Sequence, residues 1–302
     1  MNWTPWISTL EFGIVHALFA LSTFVALWSG VLSLAAVSFG AFAGFGYAYI
    51  AAEMGITLIP GLIFGALLGA LFAWLVSLAF LQLSSHYLAM ATIALVLITR
   101  VLVVNLPDVT GGASGVGLTR HSSWWWLVIV LALAAWVLHQ LRGSRLGLAT
   151  ECVREDPAVA QSLGIDPRHV QRIAFALSGA LGGVGGVLFA DLLRFIGPNT
   201  YYVDLAFVML ASVVLGGAYH WAGSIVGALV FTALPEILHE FIDRGEEIAN
   251  GIILIVIMIY LPRGFVDPAR GRRRRAKRAA KRADGPPGSA VATPAEGSGV
   301  SA

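Results

Sequence analysis

The sequence contains few charged residues for its length. Of its 302 residues, 12% are charged and 58% are hydrophobic, whereas about a quarter of the residues of a soluble domain carry a charge. This composition is atypical of a water-soluble globular protein and predicts a protein that lies largely in a membrane.

Lysine and cysteine are scarcer still, and their scarcity excludes several kinds of chemistry. The two lysines, Lys277 and Lys281, both lie near the C-terminus, so the chain has no Walker A loop, whose lysine must contact the phosphates of ATP. Cys152 is the single cysteine, which rules out an intramolecular disulfide and a multi-cysteine metal site. We expect the isolated His16 to be a packed or pore-facing side chain rather than a metal ligand. The sequence therefore predicts a protein without catalytic residues, metal or other cofactor of its own.

Lysine and arginine are absent from residues 1–99. Arg100 is the first of them, so the N-terminus lacks the positive region of a cleavable signal peptide, and we expect the first apolar stretch to remain as a membrane span. Residues 263–302 instead hold ten basic and three acidic residues, a formal charge of +7, against −5 for residues 1–262. The basic balance belongs to this segment and does not indicate a nucleic-acid-binding domain.

Long apolar runs dominate residues 1–262. A transmembrane helix needs about 20 mostly apolar residues, because a backbone polar group left unpaired in lipid costs several kcal/mol. The sequence predicts an all-α, polytopic helical membrane protein with about nine transmembrane helices. Eight or ten are the alternatives, since Gly40, Gly44 and Gly46 could break the second run. The runs cover residues 10–28, 31–52, 57–83, 86–106, 124–141, 172–190, 203–218, 222–238 and 249–262.

The distribution of arginine predicts the orientation of the chain. Cytoplasmic loops of membrane proteins carry an excess of basic residues. Placing the polar loop 142–171, with Arg172 at its edge, and the segment 263–302 in the cytoplasm puts fifteen basic residues there, with four spans between the two. We therefore expect an extracytoplasmic N-terminus, a cytoplasmic C-terminus and a membrane domain at residues 1–262.

The segment 263–302 is too poor in apolar residues to fold, and we expect it to be disordered. Its basic cluster either binds anionic lipid, at about 1 kcal/mol per residue near the surface, or is a plain flank of the last span.

The loop 142–171 contains two helix-start signals. Asp156 precedes Pro157, and Asp166 precedes Pro167; an aspartate can accept hydrogen bonds from the first turn, and proline suits the first helical position. The first signal predicts a helix of about two turns up to Leu163, ended by Gly164. Such a short, capped helix either docks into a groove of another protein or is an ordinary connection.

This loop closely resembles the cytoplasmic loop of the inner-membrane permeases of branched-chain amino acid ABC importers, of the LivM type. Four other segments resemble that family in the same order, so the resemblance spans residues 30–265. In the loop the matches are Ser144, Arg145, Gly147, Arg154, Glu155, Asp156, Ala160, Leu163, Gly164, Ile165, Ala174, Phe175 and Ser178. Outside the loop they are Leu32–Leu34 with Phe39, Tyr87–Ala89 with Thr92 and Leu95, Thr110–Gly115, Gly216-Gly217 with Gly223, Gly227 and Ala228, and Leu261–Gly264.

The sequence also departs from the family pattern. Ala36 stands where the family often has Gln or His, and Ala43-Gly44 displace its usual G-A-Y. Tyr219, His220 and Ser224 replace Gly, Thr and Pro. The departures at residues 36–44 put the substrate in doubt more than the fold.

The resemblance implies a permease subunit in the bacterial inner membrane. Its implied partners are two ABC ATPase subunits, a homologous second permease, an extracytoplasmic substrate-binding protein and the lipid bilayer. The implied cargo is a branched-chain or related amino acid, with urea, short amides or other amino acids as alternatives. An ion-coupled secondary carrier is the alternative of a different class. The residues that the resemblance assigns to ATPase coupling are Arg154, Glu155, Asp156, Pro157, Ala160, Leu163 and Gly164.

Two glycine-rich segments are further candidates. Gly179/Gly183 and Gly182/Gly186 have the i, i+4 spacing that lets two membrane helices approach closely, and we expect packing within the subunit more than a subunit interface or gate. The segment from Thr110 through Gly111, Gly112 and Ser114 to Gly117 is expected to be a flexible external loop. It is either a gate or contact for a substrate-delivering protein, or a glycine-rich connector.

Overall fold

The computed structural model describes residues 4–83, 85–118 and 124–239. Within these ranges the chain forms eleven α-helices, one 3₁₀-helix and two short strands. The helices are α1 (Thr4–Trp28), α2 (Ala36–Met54), α3 (Leu58–Phe80), α4 (Ser85–Asn105), α5 (Pro107–Thr110), the 3₁₀-helix (Gly112–Ser114), α6 (Trp124–Arg142), α7 (Arg145–Glu155), α8 (Pro157–Ser162), α9 (Pro167–Leu193), α10 (Val203–Gly216) and α11 (Trp221–His239); the strands are β1 (Val116–Gly117) and β2 (Phe195–Ile196).

Five of the described helices are long and apolar enough to cross a membrane, by length and composition. They lie in α1, α3, α4, α6 and α9, whereas α10 and the apolar part of α11 are shorter. The prediction of an all-α, polytopic membrane protein is thus confirmed, but the count of nine spans is not. The ninth run, 249–262, and the segment 263–302 lie outside the described residues.

Several predicted boundaries need correction. The second run begins at Ala36 rather than at residue 31 and forms one unbroken helix, so the alternative of a break at its glycines is wrong. The second helix-start signal is confirmed, because α9 begins at Pro167, is capped by Asp166 and continues through the sixth run. Between α6 and α9 the structure contains α7, a helix that the sequence did not predict.

Helix α9 lies at the centre of the bundle. In α9 and α1, 72% and 67% of the membrane-span window is buried, against 17% in α6. Glycines set the neighbours of α9: Gly40 and Gly44 of α2 lie against Gly182 and Gly186, whereas Gly65 and Gly69 of α3 lie against Gly183 and Gly179. Residue numbers increase in the same direction along α2 and α9, and in opposite directions along α3 and α9. Helix α9 therefore runs parallel to α2 and antiparallel to α3.

The two ends of the bundle differ. At one end β1 and β2 form an antiparallel ribbon, with Val116 opposite Ile196 and Gly117 opposite Phe195. We call this the ribbon end. At the other end α7 and α8 lie beside the turn after α1 and the turn between α10 and α11. We call this the α7–α8 end.

Candidate functional site

Helix α7 begins directly after α6 because Ser144 caps it. The Ser144 hydroxyl accepts a hydrogen bond from the N–H of Gly147 at 3.3 Å and donates one to the carbonyl of Leu141 at 2.7 Å. A Cβ at position 147 would overlap the carbonyl oxygen of Leu141, so only glycine permits this tight reversal. The serine cap was a signal for α7 in the sequence, and it was overlooked.

Helix α8 starts as the sequence predicts. The Asp156 carboxylate accepts hydrogen bonds from the N–H groups of Ala158 at 2.8 Å and Val159 at 3.2 Å, and Pro157 is the first helical residue. The helix ends at Ser162, one residue earlier than predicted, and Gly164 has a φ of +78°, a conformation that favours glycine. The helix-start and helix-stop signals are therefore confirmed.

A small apolar cluster fastens α8 to its neighbours. Ala160 of α8 is fully buried between Val153 of α7 and Val170 of α9. Ala149, Cys152 and Ile165 pack around these three residues. Since two turns of helix are unstable alone, this cluster and the Asp156 cap together hold α8 in place.

The opposite side of α7 and α8 is exposed. Val159 and Leu163, four positions apart and so on one face, are 51% and 67% exposed, and Leu148 of α7 is 63% exposed. Glu155, the last residue of α7, and Asp156, which follows it, are also exposed. We call these five residues the α7–α8 surface; it combines apolar side chains with carboxylates at the start of a helix.

Arg154 points away from that surface. Its Nη1 donates to the carbonyl oxygen of Ala218 at 2.9 Å, and its guanidinium carbon lies 4.7 Å from the centre of the Tyr219 ring. The predicted coupling residues are thus divided: Glu155, Asp156 and Leu163 face solvent, whereas Arg154 contacts the turn between α10 and α11.

Ion pairing contributes little to stability at the α7–α8 end. The Nε of Arg142 lies 3.5 Å from a carboxylate oxygen of Glu151, but both side chains are about one third or more exposed, and such a pair contributes about 0–1 kcal/mol. Burial is the main cause that lowers the pKa of His220, in the turn before α11, and the positive charges of Arg142 and His139 lower that pKa further.

The glycines of α9 lie at backbone-to-backbone contacts inside the subunit. A Cβ at Gly183 would overlap the carbonyl oxygen of Gly65, and one at Gly179 that of Gly69. A Cβ at Gly186 would overlap the carbonyl of Gly40. Gly182 approaches Ala36 of α2 and Ser22 of α1, and Ser22 donates to the carbonyl of Ser178 at 2.7 Å.

The segment from Thr110 to Gly117 is more structured than the expected flexible loop. The Thr110 hydroxyl is buried and hydrogen-bonds the carbonyl of Leu106 at 2.7 Å, while it accepts from the N–H of Gly112 at 3.2 Å. Gly111 and Gly112 have positive φ values, and Ser114 ends the 3₁₀-helix before β1. Pairing with β2 fixes this segment to the chain that follows α9, so it is not an open loop.

An almost wholly apolar cavity of about 240 Å³ lies beside this segment, between α2, α3, α4 and α5. Phe42 and Phe45 of α2, Thr99 of α4, and Val109 and Thr110 of α5 are among its lining residues. Groups of three or more histidine, cysteine, aspartate or glutamate side chains that could hold a metal ion do not occur in the part of the chain that the structure describes.

Tyr201 is a buried residue that sequence reasoning missed. Its hydroxyl donates to the carbonyl of Gly186 at 2.7 Å, and its ring contacts Phe19, Phe45 and Phe189. A Cβ at Gly44 would overlap this hydroxyl. The chain after β2 therefore packs between α2 and α9, a contact that no local pattern in the sequence indicates.

Comparison with known proteins finds a matching family. Residues 7–261 match the family model described as branched-chain amino acid transport system / permease component. The chain is 28% identical over 278 residues to the high-affinity branched-chain amino acid transport system permease protein LivM of Escherichia coli strain K12, a match that covers 80% of this chain and 65% of that relative. The chain thus spans less than two thirds of the length of this relative. No solved structure matches the chain.

Two further relatives carry different names. The nucleoside ABC transporter permease protein NupC of Lactococcus lactis subsp. cremoris is 27% identical over 273 residues, 78% of this chain and 84% of the relative. The permease protein LivH of Escherichia coli strain K12 is 27% identical over 144 residues, 47% of this chain and 46% of the relative. The family match covers most of the chain, so the protein belongs to the family of permease components of branched-chain amino acid transport systems.

Proposed function

We propose that this chain is one permease subunit of an ABC importer that carries branched-chain amino acids across the bacterial inner membrane. The family match and the LivM and LivH relatives support this cargo. The observation that carries the mechanism is the α7–α8 surface, whose apolar side chains are exposed around the short helix α8, capped by Asp156, at one end of an apolar bundle.

The proposed assembly has the composition that the resemblance implies. A homologous permease completes the pathway, two ATPase subunits bind below, and an extracytoplasmic binding protein delivers the cargo. In this assignment the α7–α8 end is cytoplasmic and the ribbon end extracytoplasmic. The proposed count of nine spans consists of the run 249–262 and eight of the helices, namely α1, α2, α3, α4, α6, α9, α10 and α11. The concentration of arginine in residues 142–172 supports this orientation.

ATP hydrolysis in the partner subunits supplies the energy. Leu163 and Val159 insert into a groove of the ATPase, and Asp156 keeps the first turn of α8 closed. Movement of α8 is transmitted through Ala160 to α7 and α9, so closure of the ATPase dimer biases the bundle between two packings.

A second cargo class has specific support. The match to the nucleoside permease covers 84% of that relative, a larger share than the match to LivM covers. Nucleosides are therefore the second candidate cargo. Urea, short amides, other amino acids and ion-coupled transport stay predictions from the sequence.

The docking step is tested by charge substitution on the exposed face. Val159→Glu and Leu163→Glu in one chain should abolish co-purification of the ATPase subunits, because two carboxylates would have to be desolvated in the interface. Ala158→Glu, also exposed but not on that face, is the matched control. Deletion of residues 156–164 should give the same loss. Retention of the ATPase and of transport in the double variant would contradict the docking step.

Cargo and energy source are tested in proteoliposomes with the complete complex. Uptake of radiolabelled leucine is expected to need ATP and the binding protein, with radiolabelled uridine as the competing cargo. ATP-dependent uptake of uridine alone would transfer the assignment to nucleosides. Uptake that is driven by an ion gradient without ATP would overturn the ABC importer assignment.

A further inference from the structure

Arg154 belongs to the loop 142–171, but its contacts play no part in the docking step proposed above. It lies near the C-terminal end of α7 and is partly buried, and its side chain extends to the turn between α10 and α11. A docking residue would face the partner, so the direction of Arg154 calls for a different role.

The first contact of Arg154 is with the turn between α10 and α11. Nη1 donates to the carbonyl of Ala218 at 2.9 Å, a charge-assisted hydrogen bond to a carbonyl at the end of a short helix. The guanidinium also lies over the ring of Tyr219, 4.7 Å from its centre, within the range of a cation–π interaction. Two adjacent residues of one turn are therefore held by one side chain.

The second contact is with the turn after α1. Gly30 has a φ of +81°, and a Cβ there would lie 3.4 Å from the Cα of Arg154. The backbone of α7 thus packs directly against this turn. Nearby, Gln171 of α9 donates to the carbonyl of Ser29 at 3.4 Å, so the same turn is also joined to the start of α9.

These contacts connect α7 to the ends of two helices that pack on each other. The His16 side chain of α1 hydrogen-bonds that of Thr232 of α11 at 2.9 Å, so α1 and α11 are joined further along the bundle. A displacement of α7 would act on both helices at their ends. The Arg154 side chain is the part of this connection that a point substitution can remove.

We propose that Arg154 is a positioning residue that transmits movement of α7 and α8 to α10 and α11 through Ala218 and Tyr219. The inference rests on the proposed function, because it assumes that an ATPase moves α8. Arg154 does not contribute to holding the ATPase; it determines how much of the movement of α8 reaches the membrane helices.

The test separates binding, hydrolysis and transport in the complete complex. Arg154→Ala should keep the ATPase subunits bound and active, yet lower leucine uptake per ATP hydrolysed by about tenfold, the scale of one hydrogen bond to a charged group. Arg154→Lys, which keeps a positive donor, should restore part of the ratio. Tyr219→Ala removes only the ring; since Tyr219 is 58% exposed, folding is not at risk, and a smaller fall in the ratio is expected. Arg145→Ala, an exposed arginine of the same helix, is the matched control.

A second measurement does not depend on the cargo. Spin labels at Leu146 on α7, which is not part of the α7–α8 surface, and Val226 on α11, both exposed, are introduced with Cys152→Ser. In the wild-type background ATP binding should leave the distance between the labels nearly unchanged, because the two helices move together. In Arg154→Ala and Tyr219→Ala the distance should change with ATP.

The outcomes distinguish this inference from the proposed function. A wild-type transport ratio and an unchanged label distance in both Arg154→Ala and Tyr219→Ala would overturn the role of Arg154 and leave ATPase docking intact. Loss of the ATPase from folded Arg154→Ala would also overturn it, because Arg154 would then belong to the docking site. Absence of ATP-dependent uptake by the wild-type complex is a failure of the proposed function itself.

Discussion

The contacts of α9 and the contacts of α8 are formed by different types of residue. Around α9, glycines at 179, 183 and 186 bring helix backbones together, with no room for a Cβ on either side. Under α8, three side chains, Val153, Ala160 and Val170, form a small apolar cluster, and hydrogen-bonded caps close the helix ends.

The difference follows from the surroundings of each region. Lipid is as apolar as a helix surface, so helices in a membrane associate through close packing of small residues. In the proposed orientation the α7–α8 end faces the aqueous cytoplasm, where burial of apolar side chains stabilises the contact. We expect the glycine contacts to fix the bundle and the smaller cluster under α8 to shift as a unit when a partner moves α8. A rigid bundle with a weakly attached helix at one end suits a protein that receives movement from a partner.

The largest effect is expected where the backbones touch. Gly183→Leu places a branched side chain against the carbonyl of Gly65. Overpacking usually lowers the free energy of unfolding by about 1–3 kcal/mol. We expect a larger loss here, because the backbone of α3 cannot move aside as a side chain can. We expect loss of folded protein, measured as monodisperse yield after detergent extraction. Gly143→Ala, where a Cβ meets only a carbonyl at 3.8 Å, is the control and should purify normally. A normal yield of Gly183→Leu would show that α3 and α9 are not packed as described.

A smaller effect is expected under α8. Ala160→Leu overfills the cluster and should cost about 1–3 kcal/mol. Because α8 can move outward, we expect the bundle to remain folded while ATPase co-purification falls. The exposed Ala158 provides the control, Ala158→Leu. Equal losses of folded protein in Ala160→Leu and Gly183→Leu would contradict the distinction between a fixed bundle and a movable helix.

The smallest effect concerns pH at the start of α11. The N–H of Ala222 donates to Nδ1 of His220 at 3.1 Å, which requires that nitrogen to be unprotonated. Burial, with Arg142 and His139, lowers the pKa of His220 from 6.5. Because the pKa of His220 is lowered in the folded protein, the unfolded chain binds the proton more readily than the folded chain does. The stabilisation by neutral His220 is therefore complete above about pH 6.5 and declines as the pH falls below that value.

His220→Gln should accordingly reduce the fall of the melting temperature between pH 7.5 and pH 5.5, measured on the detergent-solubilised protein. His169→Gln, which removes an exposed histidine at the same end, should keep the wild-type dependence. An identical pH dependence in wild type and His220→Gln would refute the assignment.

Part of the candidate site could be predicted because its signals are local. The Asp156-Pro157 and Asp166-Pro167 pairs determine where helices begin through hydrogen bonds within three residues, and Gly164 ends a helix through its own φ. Sequence patterns report such interactions well. Helix α7 was missed although Ser144 is a local signal, because its apolar positions are few and the segment is short.

Other features could not be predicted, because they join residues far apart in sequence. The partner of Arg154 is a carbonyl 64 residues away, and a carbonyl carries no sequence signal. The glycine spacing in α9 indicated close approach but not that α3 lies on one side and α2 on the other. The ribbon between residues 116–117 and 195–196 likewise depends on where α9 ends in the bundle.

The sequence by itself determined that this chain is a helical membrane protein with one polar, capped loop, because composition, apolar run length and capping are properties of neighbouring residues. The tertiary structure decided which helices meet, that the glycines of α9 contact α2 and α3, and that Arg154 faces the bundle while Leu163 faces outward. The physical reason is that close packing and hydrogen bonds to backbone carbonyls depend on positions in space, which only the assembled bundle defines.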